Sequence, residues 1–221
     1  YYNKFEYFQN ADFINFNKLI FSVTDPISEY KIIKNGFLLY QTKIFDSRNE
    51  FHFEFEENIS LNDEYIIEVR FLDGLFKQSK VTYNGLIHTK EFNEKFYFDG
   101  ELGAIYGKNK TIFRVWSPIS KDIKVRLYQV SKDDSTDIKV NDVKLTKLDN
   151  GVFEGVVHQN LAGCLYNFVV SNNTYTNVEI IDPYAKDISN DGRCGIVVDF
   201  SKTNPKGFKE STIYPYDRKE L

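Results

Sequence analysis

Few residues of this 221-residue chain have the types and the spacing that catalysis requires. The three histidines, His52, His88 and His158, are far apart, and no motif pairs any of them with a nucleophile. The sequence contains no nucleophile elbow, no phosphate-binding loop and no HExxH zinc motif. It therefore offers no catalytic residue, and we expect the isolated chain to be inactive as an enzyme.

Candidate metal ligands are equally sparse. Asp133, Asp134 and Asp137 in "SKDDSTD" resemble calcium ligands, but the glycine and the final glutamate of an EF-hand loop are missing, so we interpret this segment as a solvated loop. Cys164 and Cys194 have no CxxC spacing and no histidine near them. They could form a disulfide, although the size of the chain favours two separate thiols. We expect no metal and no cofactor.

Charge and hydropathy exclude two classes of partner. The net charge is −4 at pH 7, whereas proteins that bind nucleic acid need clustered lysine and arginine. No apolar run approaches the roughly 20 residues of a membrane span, so we expect neither nucleic acid nor membrane as a partner. The chain has no methionine, so we expect that its first residue is not the native N-terminus. We expect a cytoplasmic protein.

Alternation of apolar and polar residues predicts strands along the whole chain. The clearest run begins at Tyr65, and Asp73-Gly74 predicts a hairpin turn after it. Asn35-Gly36 predicts a turn between the first two strands of the first series, and Asp149-Asn150-Gly151 predicts a hairpin in the second. The other predicted strands are Lys18–Thr24, Phe37–Phe45, Phe51–Phe55, Leu75–Tyr83, Thr111–Trp116, Ile123–Val130, Val143–Leu148, Val152–His158, Tyr166–Ser171 and Gly195–Phe200.

These strands fall into two series of about 100 residues each, separated near Asn93–Asp99. Short strands with turn signals every 8–12 residues are typical of β-sandwiches. The pattern therefore predicts an all-β chain of two sandwich domains, over residues 1–97 and 98–200. The segment 201–221 contains two prolines and no alternation, which predicts a linker or a surface strap.

Several separated motifs share one resemblance. They are "YFDGELGAIYGKNKTIFRVWSP", "LDNGVFEGVV", "LAGCLYNFVV", "IDPYAKDISNDGRCGIVVDF" and "TNPKGF", which lie between Phe98 and Phe208. In order and spacing, this segment resembles the type I pullulanases, starch-debranching enzymes of glycoside hydrolase family 13. The resemblance implies an immunoglobulin-like, family-48 carbohydrate-binding module at 98–200. It also implies an N-terminal sandwich at 1–97, and a linker at 201–221 that leads to a catalytic barrel outside this sequence.

The resemblance implies two immunoglobulin-like β-sandwich domains in tandem, with a non-catalytic role. The parent enzyme would hydrolyse α-1,6-glucosidic bonds through a covalent glycosyl intermediate, and none of its catalytic carboxylates falls in this sequence. The expected partner is the parent's own catalytic barrel, which these domains would support and orient. The alternative is an autonomous module that binds α-glucan. An unrelated, adhesion-type pair of sandwiches is a weaker third interpretation.

The single tryptophan, Trp116, could serve any of three purposes. Alternation places Trp116 and Arg114 on the outer face of their strand, near Tyr128 if that strand pairs with the next one. A bulge before Pro118 could instead turn the indole into the core, or the indole could stack on a sugar. We favour packing against the barrel or the N-terminal domain, which predicts Trp116, Arg114 and Tyr128 as domain-interface residues.

Two further residues are candidates for carbohydrate binding through the resemblance. Family-48 modules that bind glycogen stack sugars on two tryptophans and use a lysine in a "YKF"-like strand. Here the strand reads "YNF", so Asn167 occupies the lysine position, and Tyr175 matches one aromatic position. The charged "VSKDDSTD" replaces the loop of the other tryptophan. The resemblance thus gives Asn167 and Tyr175 as candidate carbohydrate-binding residues.

Overall fold

The computed structural model describes residues 8–129 and 138–203, and it is built almost entirely from antiparallel strands. The predicted fold class is confirmed, since the strands form two immunoglobulin-like β-sandwiches in tandem. Within these two ranges, no helix is long and apolar enough to cross a membrane.

The first sandwich contains seven described strands. Its two sheets have the strand orders β1-β2-β5 and β4-β3-β6-β7. The strands are β1 (Phe8–Phe13), β2 (Lys18–Val23), β3 (Ile27–Lys34), β4 (Phe37–Asp46), β5 (Glu50–Glu54), β6 (Tyr65–Phe71) and β7 (Phe76–Lys80).

An aromatic cluster fills the space between these two sheets. The ring of Phe13 stacks on Tyr83 at 5.4 Å and meets the edge of Tyr65 at 5.1 Å. Phe21 stacks on Phe51 at 5.0 Å in the same core. Alternate residues of β2 and β6 are buried, so the period of two that predicted these strands also selects their inward faces.

A short helical segment closes the first sandwich. A 3₁₀ turn at Leu86–His88 leads into α1 (Lys90–Lys95), and the Thr89 hydroxyl accepts a hydrogen bond from the amide of Phe92 at 3.1 Å as its N-cap. Phe92 and Phe96 are buried in the first core. The alternation did not predict this helix, because six residues give less than two turns of helical periodicity.

The second sandwich contains nine described strands around a separate core. Its sheets have the orders β12-β13-β9-β8 and β11-β10-β14-β15, with β16 pairing β14 as well. The strands are β8 (Gly103–Tyr106), β9 (Thr111–Trp116), β10 (Asp122–Gln129), β11 (Ile138–Lys144), β12 (Thr146–Lys147), β13 (Val152–Val157), β14 (Leu165–Ser171), β15 (Val178–Ile180) and β16 (Gly195–Ile196), and a 3₁₀ turn follows at Phe200–Lys202.

Several sequence-based element assignments need correction. The Asn35-Gly36 turn joins β3 to β4 rather than β2 to β4, because β3 was not predicted. A bulge between Ile27 and Glu29 breaks the alternation of that strand. The strand predicted over 143–148 divides between β11 and β12, and the one predicted over 195–200 is only two residues long. Most of the predicted linker, like Asp133, Asp134 and Asp137, lies outside the described residues.

The register between β14 and β16 keeps Cys164 and Cys194 apart. Both side chains remain thiols, in agreement with the two-thiol interpretation. The amide of Val197 donates to the Cys164 carbonyl at 3.0 Å, whereas the Cys194 sulfur contacts the Asn167 amide at 3.6 Å. The two cysteines are thus three positions out of register, about 10 Å along the strand. This separation exceeds the roughly 7 Å between Cα atoms that a disulfide can bridge.

A buried carboxylate anchors the segment that follows β15. Asp182 accepts a hydrogen bond from the Tyr166 hydroxyl at 2.6 Å and one from the Tyr184 amide at 2.8 Å. Burial raises the pKa of Asp182, and the hydrogen bonds oppose this effect only in part. Gly103 has a φ of +87° here, and a Cβ at this position would lie 2.6 Å from the Tyr184 carbonyl oxygen. The close backbone contact therefore requires glycine.

The raised pKa of Asp182 predicts a pH-dependent effect of Asp182→Asn. The folded-state pKa of Asp182 lies above the unfolded value of about 3.9. The protonated carboxyl group therefore stabilises the fold below about pH 3.9, and this stabilisation is lost as the pH rises through the folded-state pKa. The side chain of the asparagine variant does not ionise, so the variant does not lose stability in this way. Its unfolding free energy relative to wild type should therefore increase between about pH 3.5 and about pH 7 in urea titrations. Asp149→Asn in an exposed turn is the control, and a pH-independent difference for Asp182→Asn would contradict the argument.

Candidate functional site

A cleft opens on the sheet that contains β10, β14 and β15. It has a volume of about 540 Å³. Strand residues form one wall, and the loop before β16 forms the other. The lining residues are Tyr128, Asn167, Glu179, Ile181, Gly192, Arg193 and Cys194.

Glu179 is the centre of a hydrogen-bond network in this cleft. Its carboxylate accepts from Arg126 Nη1 at 2.8 Å, from Asn167 Nδ2 at 2.9 Å and from the Tyr128 hydroxyl. Burial alone would raise the pKa of Glu179, but the hydrogen bonds from these three donors outweigh it, so the pKa is lowered. Glu179 is therefore held as a carboxylate at neutral pH.

Arg126 ties this network to the neighbouring strand. Its Nε and Nη2 donate to the two carboxylate oxygens of Asp142 on β11, at 2.8 and 2.9 Å. A bidentate pair of this kind fixes the guanidinium plane, and with it the position of Glu179. Burial and the Glu179 hydrogen bond together raise the pKa of Tyr128 to about 12, so its hydroxyl stays protonated and donates.

Asn167 presents a polar atom that the protein does not satisfy. The side chain is only 6% exposed, and its Nδ2 donates to Glu179 and to the Arg193 carbonyl at 3.0 Å. Its Oδ1 is buried and has no hydrogen-bond partner among the described residues. Leaving a buried acceptor unpaired costs about 1–3 kcal/mol. Asn167 also lines the cleft, although its Oδ1 atom itself is almost fully buried.

The loop before β16 is organised by its own polar residues. The Ser189 hydroxyl accepts from the amides of Arg193 at 3.2 Å and Cys194 at 3.0 Å, and it donates to Asp191 at 2.6 Å. Hydrogen bonds from Ser189 and Arg193 lower the pKa of Asp191 to about 2. This arrangement holds the Arg193 carbonyl against the Asn167 amide. Among the described residues, no group of three acidic, histidine or cysteine side chains is arranged to hold a metal ion.

The structure does not bring the two predicted carbohydrate-binding residues into one cleft. Asn167 lines the cleft, whereas Tyr175 lies in the β14–β15 hairpin and is not among the lining residues. Asn172 builds this hairpin by accepting from the amides of Thr174 at 2.7 Å and Tyr175 at 2.9 Å. The Tyr175 side chain is exposed beyond the far end of β14.

Trp116 lies on the face of β9 that points away from its own core. Burial alternates along β9, with Phe113 and Val115 buried and Arg114 and Trp116 half-buried. The indole Nε1 donates to the Phe96 carbonyl at 2.7 Å, and the indole meets the ring of Phe92 edge to face at 6.5 Å. Trp116 thus packs against the core cluster of the first sandwich.

The predicted neighbourhood of Trp116 needs one correction. β9 pairs with β8 and β13, whereas β10 lies in the other sheet of the sandwich, so the cross-strand contact expected with Tyr128 is not formed. Arg114 instead donates from Nε to Glu154 on β13 at 2.6 Å. Alternation predicts which way a side chain faces but does not identify the strand beside it.

Two residues that the sequence did not single out complete the junction between the sandwiches. Lys147 Nζ donates to Asn62 Oδ1 at 3.0 Å and to the carbonyls of Pro118 and Ser120 at 2.8 and 2.7 Å. Burial lowers the pKa of Lys147, and no carboxylate forms an ion pair with it in the described ranges. Lysine on a short hairpin is an ordinary surface pattern, so no sequence signal marks this role.

The second of these residues, Asn173, forms a polar contact across the same junction. Its Nδ2 donates to the Asp63 carbonyl at 2.7 Å, and its own carbonyl accepts from Lys80 Nζ at 2.8 Å. Together with Trp116 and Lys147, it gives the second sandwich apolar and polar contacts with the first. These contacts define the junction, which comprises Trp116, Lys147 and Asn173 with their partners.

Comparison with known sequences gives one matching family and a curated relative. Residues 101–185 match the model of carbohydrate-binding module 48 (isoamylase N-terminal domain). A pullulanase of Bacillus subtilis (strain 168) is 35% identical over 113 residues, which are 51% of this chain and 15% of that protein. The chain therefore spans only a small part of the length of this relative.

Solved structures of pullulanases share the fold. The enzyme from Anoxybacillus sp. LM18-11, complexed with maltotetraose, has a TM-score of 0.67 at 24% identity and covers 89% of this chain and 27% of its own. The Bacillus acidopullulyticus enzyme has a TM-score of 0.69 at 14% identity, covering 92% and 38%. The Paenibacillus barengoltzii enzyme, in complex with maltohexaose and alpha-cyclodextrin, has a TM-score of 0.51 at 27% identity, covering 60% and 20%.

The junction predicts that Trp116→Ala destabilises the protein by about 2 kcal/mol. This is less than the 3–5 kcal/mol typical of a fully buried aromatic, because the indole is only half-buried. Trp116→Phe should cost about 1 kcal/mol, since it keeps the ring contact with Phe92 but loses the hydrogen bond to the Phe96 carbonyl. Urea unfolding followed by circular dichroism measures both. A Trp116→Phe variant as stable as wild type would contradict the assigned role of the indole nitrogen, and equal costs for the two variants would contradict the contribution of the ring.

Proposed function

On the premise that residues 101–185 belong to carbohydrate-binding module family 48, we propose that this chain is the non-catalytic N-terminal part of a starch-debranching enzyme. The parent would hydrolyse α-1,6-glucosidic bonds, and its catalytic barrel would be the partner of this chain. Similarity to pullulanases along both sandwiches supports the proposal.

The junction is the observation that carries the supporting role. Trp116 packs against the first core from the second sandwich, and the half-buried Lys147 has its three hydrogen bonds divided between the two sandwiches. Breaking the junction would expose an indole and remove the hydrogen bond between Lys147 and Asn62. The two domains would therefore move as one unit and present a catalytic domain in a fixed orientation. The boundary near residues 93–99 would then separate two hydrophobic cores, but the two domains would not move independently.

Glu179 in the cleft and the buried Asp182 nearby both fit a non-catalytic role. A retaining glycosidase needs two carboxyl groups about 5–5.5 Å apart, one of which has a raised pKa and acts as the general acid. Glu179 has a lowered pKa and is engaged by Arg126, so it is poorly suited to donate a proton. Asp182 has a raised pKa but is buried against Tyr166.

We expect the 221-residue chain to release no reducing sugar from pullulan. The coding sequence beyond Leu221 should continue into a catalytic barrel, and the extended protein should hydrolyse pullulan. Trp116→Ala and Lys147→Met in that extended protein should lower its temperature of half-inactivation and leave KM at low temperature within about twofold. Arg70→Met, on an exposed strand position, is the matched control. A coding sequence with no catalytic domain would contradict the proposal. Unchanged temperatures of half-inactivation in the two variants would contradict the supporting role.

The second candidate function is binding of α-glucan, which the unsatisfied Oδ1 of Asn167 favours. Sugar hydroxyls are hydrogen-bond donors, and a small shift of Asn167, which lines the cleft, would present its unpaired Oδ1 to one. Glu179 is held by Arg126 and accepts a hydrogen bond from Asn167 Nδ2, which fixes the position of the Asn167 side chain. Tyr175 is exposed near the end of the same strand and would contact a longer oligosaccharide.

Native gels that contain amylopectin test this second function. The wild-type chain should be retarded, and Asn167→Ala should weaken binding up to about tenfold, the equivalent of one hydrogen bond. Tyr175→Ala should weaken it by a smaller factor, whereas Tyr97→Ala, at an exposed tyrosine elsewhere, should leave it unchanged. Equal mobility of the wild type with and without amylopectin would refute binding but leave the supporting role standing.

A further inference from the structure

Strand β4 is an open edge of the first sandwich. It has ten residues, more than any other described strand, and it pairs only with β3 in the sheet β4-β3-β6-β7. Its outer edge therefore presents backbone N–H and C=O groups that no other described strand uses. A long open edge is a template for an added strand.

The side chains of β4 make this edge apolar as well as open. Phe37 is 79% exposed and Phe45 is 84% exposed. Leu38, Leu39 and Tyr40 are also exposed between them. Aromatic side chains contribute about 150–250 Å² each, so these five residues approach the upper limit of a few hundred Å² that monomeric proteins usually expose as one patch.

Two shorter edge strands of the first sandwich, β7 and β5, carry the charges that normally prevent pairing. β7 has Lys77 and Lys80 within five residues, and β5 begins and ends with glutamate. In β4, Lys43 is the sole charged residue between Phe37 and Phe45. Protective charge is therefore dense on the short edges of β5 and β7 and sparse on the long edge of β4.

We propose that two copies of this chain pair through β4, antiparallel and across a two-fold axis, so that two four-stranded sheets become one sheet of eight. An axis perpendicular to the sheet reverses the strand direction and keeps the core faces on the same side. The regular stretch of β4 opposite β3, Tyr40–Lys43, places this axis at Gln41 or Thr42. This proposal is independent of the proposed enzymatic context.

The charges and apolar side chains of β4 are complementary to a second copy of the same strand. With the axis at Gln41, Phe37 faces Phe45 and Lys43 faces Leu39. With the axis at Thr42, Leu39 faces Phe45 and Lys43 faces Gln41. In neither register do two lysines oppose each other, so no like-charge repulsion counts against the pair. The five exposed apolar residues supply a few hundred Å² per copy, less than the roughly 800 Å² per partner of a standard interface, so a second copy paired through the backbone of both edges would form a weak dimer.

Sedimentation velocity tests the dimer on the 221-residue chain. From about 1 µM to about 100 µM, the mass should rise from 25.9 kDa towards twice that value. Phe45→Lys and Leu39→Lys should each raise the dissociation constant at least tenfold, because they place cations of the two copies in one interface. Tyr97→Lys, at a side chain that is 69% exposed elsewhere, should leave dimerisation unchanged.

Disulfide trapping provides a second measurement that does not depend on destabilising variants. Gln41→Cys or Thr42→Cys should give an intermolecular disulfide under mild oxidation, since a residue on the axis meets its own copy. Lys77→Cys, on the opposite edge of the same sheet, should not. A wild-type chain that stays monomeric over the whole range would overturn the proposal. So would a dimer that survives Phe45→Lys and is not trapped at either position.

Discussion

Side chains of strand β9 pack against both hydrophobic cores, and the contact between the two sandwiches depends on this. Because successive side chains of a strand point to opposite faces, Phe113 and Val115 cannot enter their own core unless Trp116 leaves it. The indole then has to be covered from outside, and the α1 segment covers it with Phe92 and the Phe96 carbonyl. The alternation of side chains along β9 thus leaves an outward-facing indole, which the neighbouring domain covers.

The polar part of the molecule follows the same logic at the cleft. Tyr166 and Phe168 face the core of the second sandwich, so Asn167 between them must point away from it. A polar residue on that face can be buried only if partners reach it, and Glu179 and the loop carbonyl of Arg193 do so. The Asn167 amide nitrogen donates to the Glu179 carboxylate and to the Arg193 carbonyl. The Asn167 Oδ1 atom has no partner among the described residues.

The sequence was informative where the determinants of structure are local. Alternation and turn residues located β2, β6, β9 and β10 because each has one buried and one wetter face. They missed β3, whose bulge interrupts the alternation, and α1, which is too short to show a period. The motifs located Asn167, but its partners Glu179 and Arg193 come from a later strand and a loop, and strand alternation does not encode which distant segments meet. Lys147 was missed for the same reason, since its role depends on Asn62, which is 85 positions away.

The position of the only tryptophan has a consequence for how unfolding is observed. Intrinsic indole fluorescence in this protein originates at the junction, not inside either core. A fluorescence melting curve therefore follows separation of the two sandwiches, whereas far-ultraviolet circular dichroism follows loss of the strands. Coincidence of the two curves would mean that the domains form one cooperative unit. A fluorescence transition at lower temperature would reveal an intermediate with both sheets intact and the domains parted, and so separate docking from folding in one experiment.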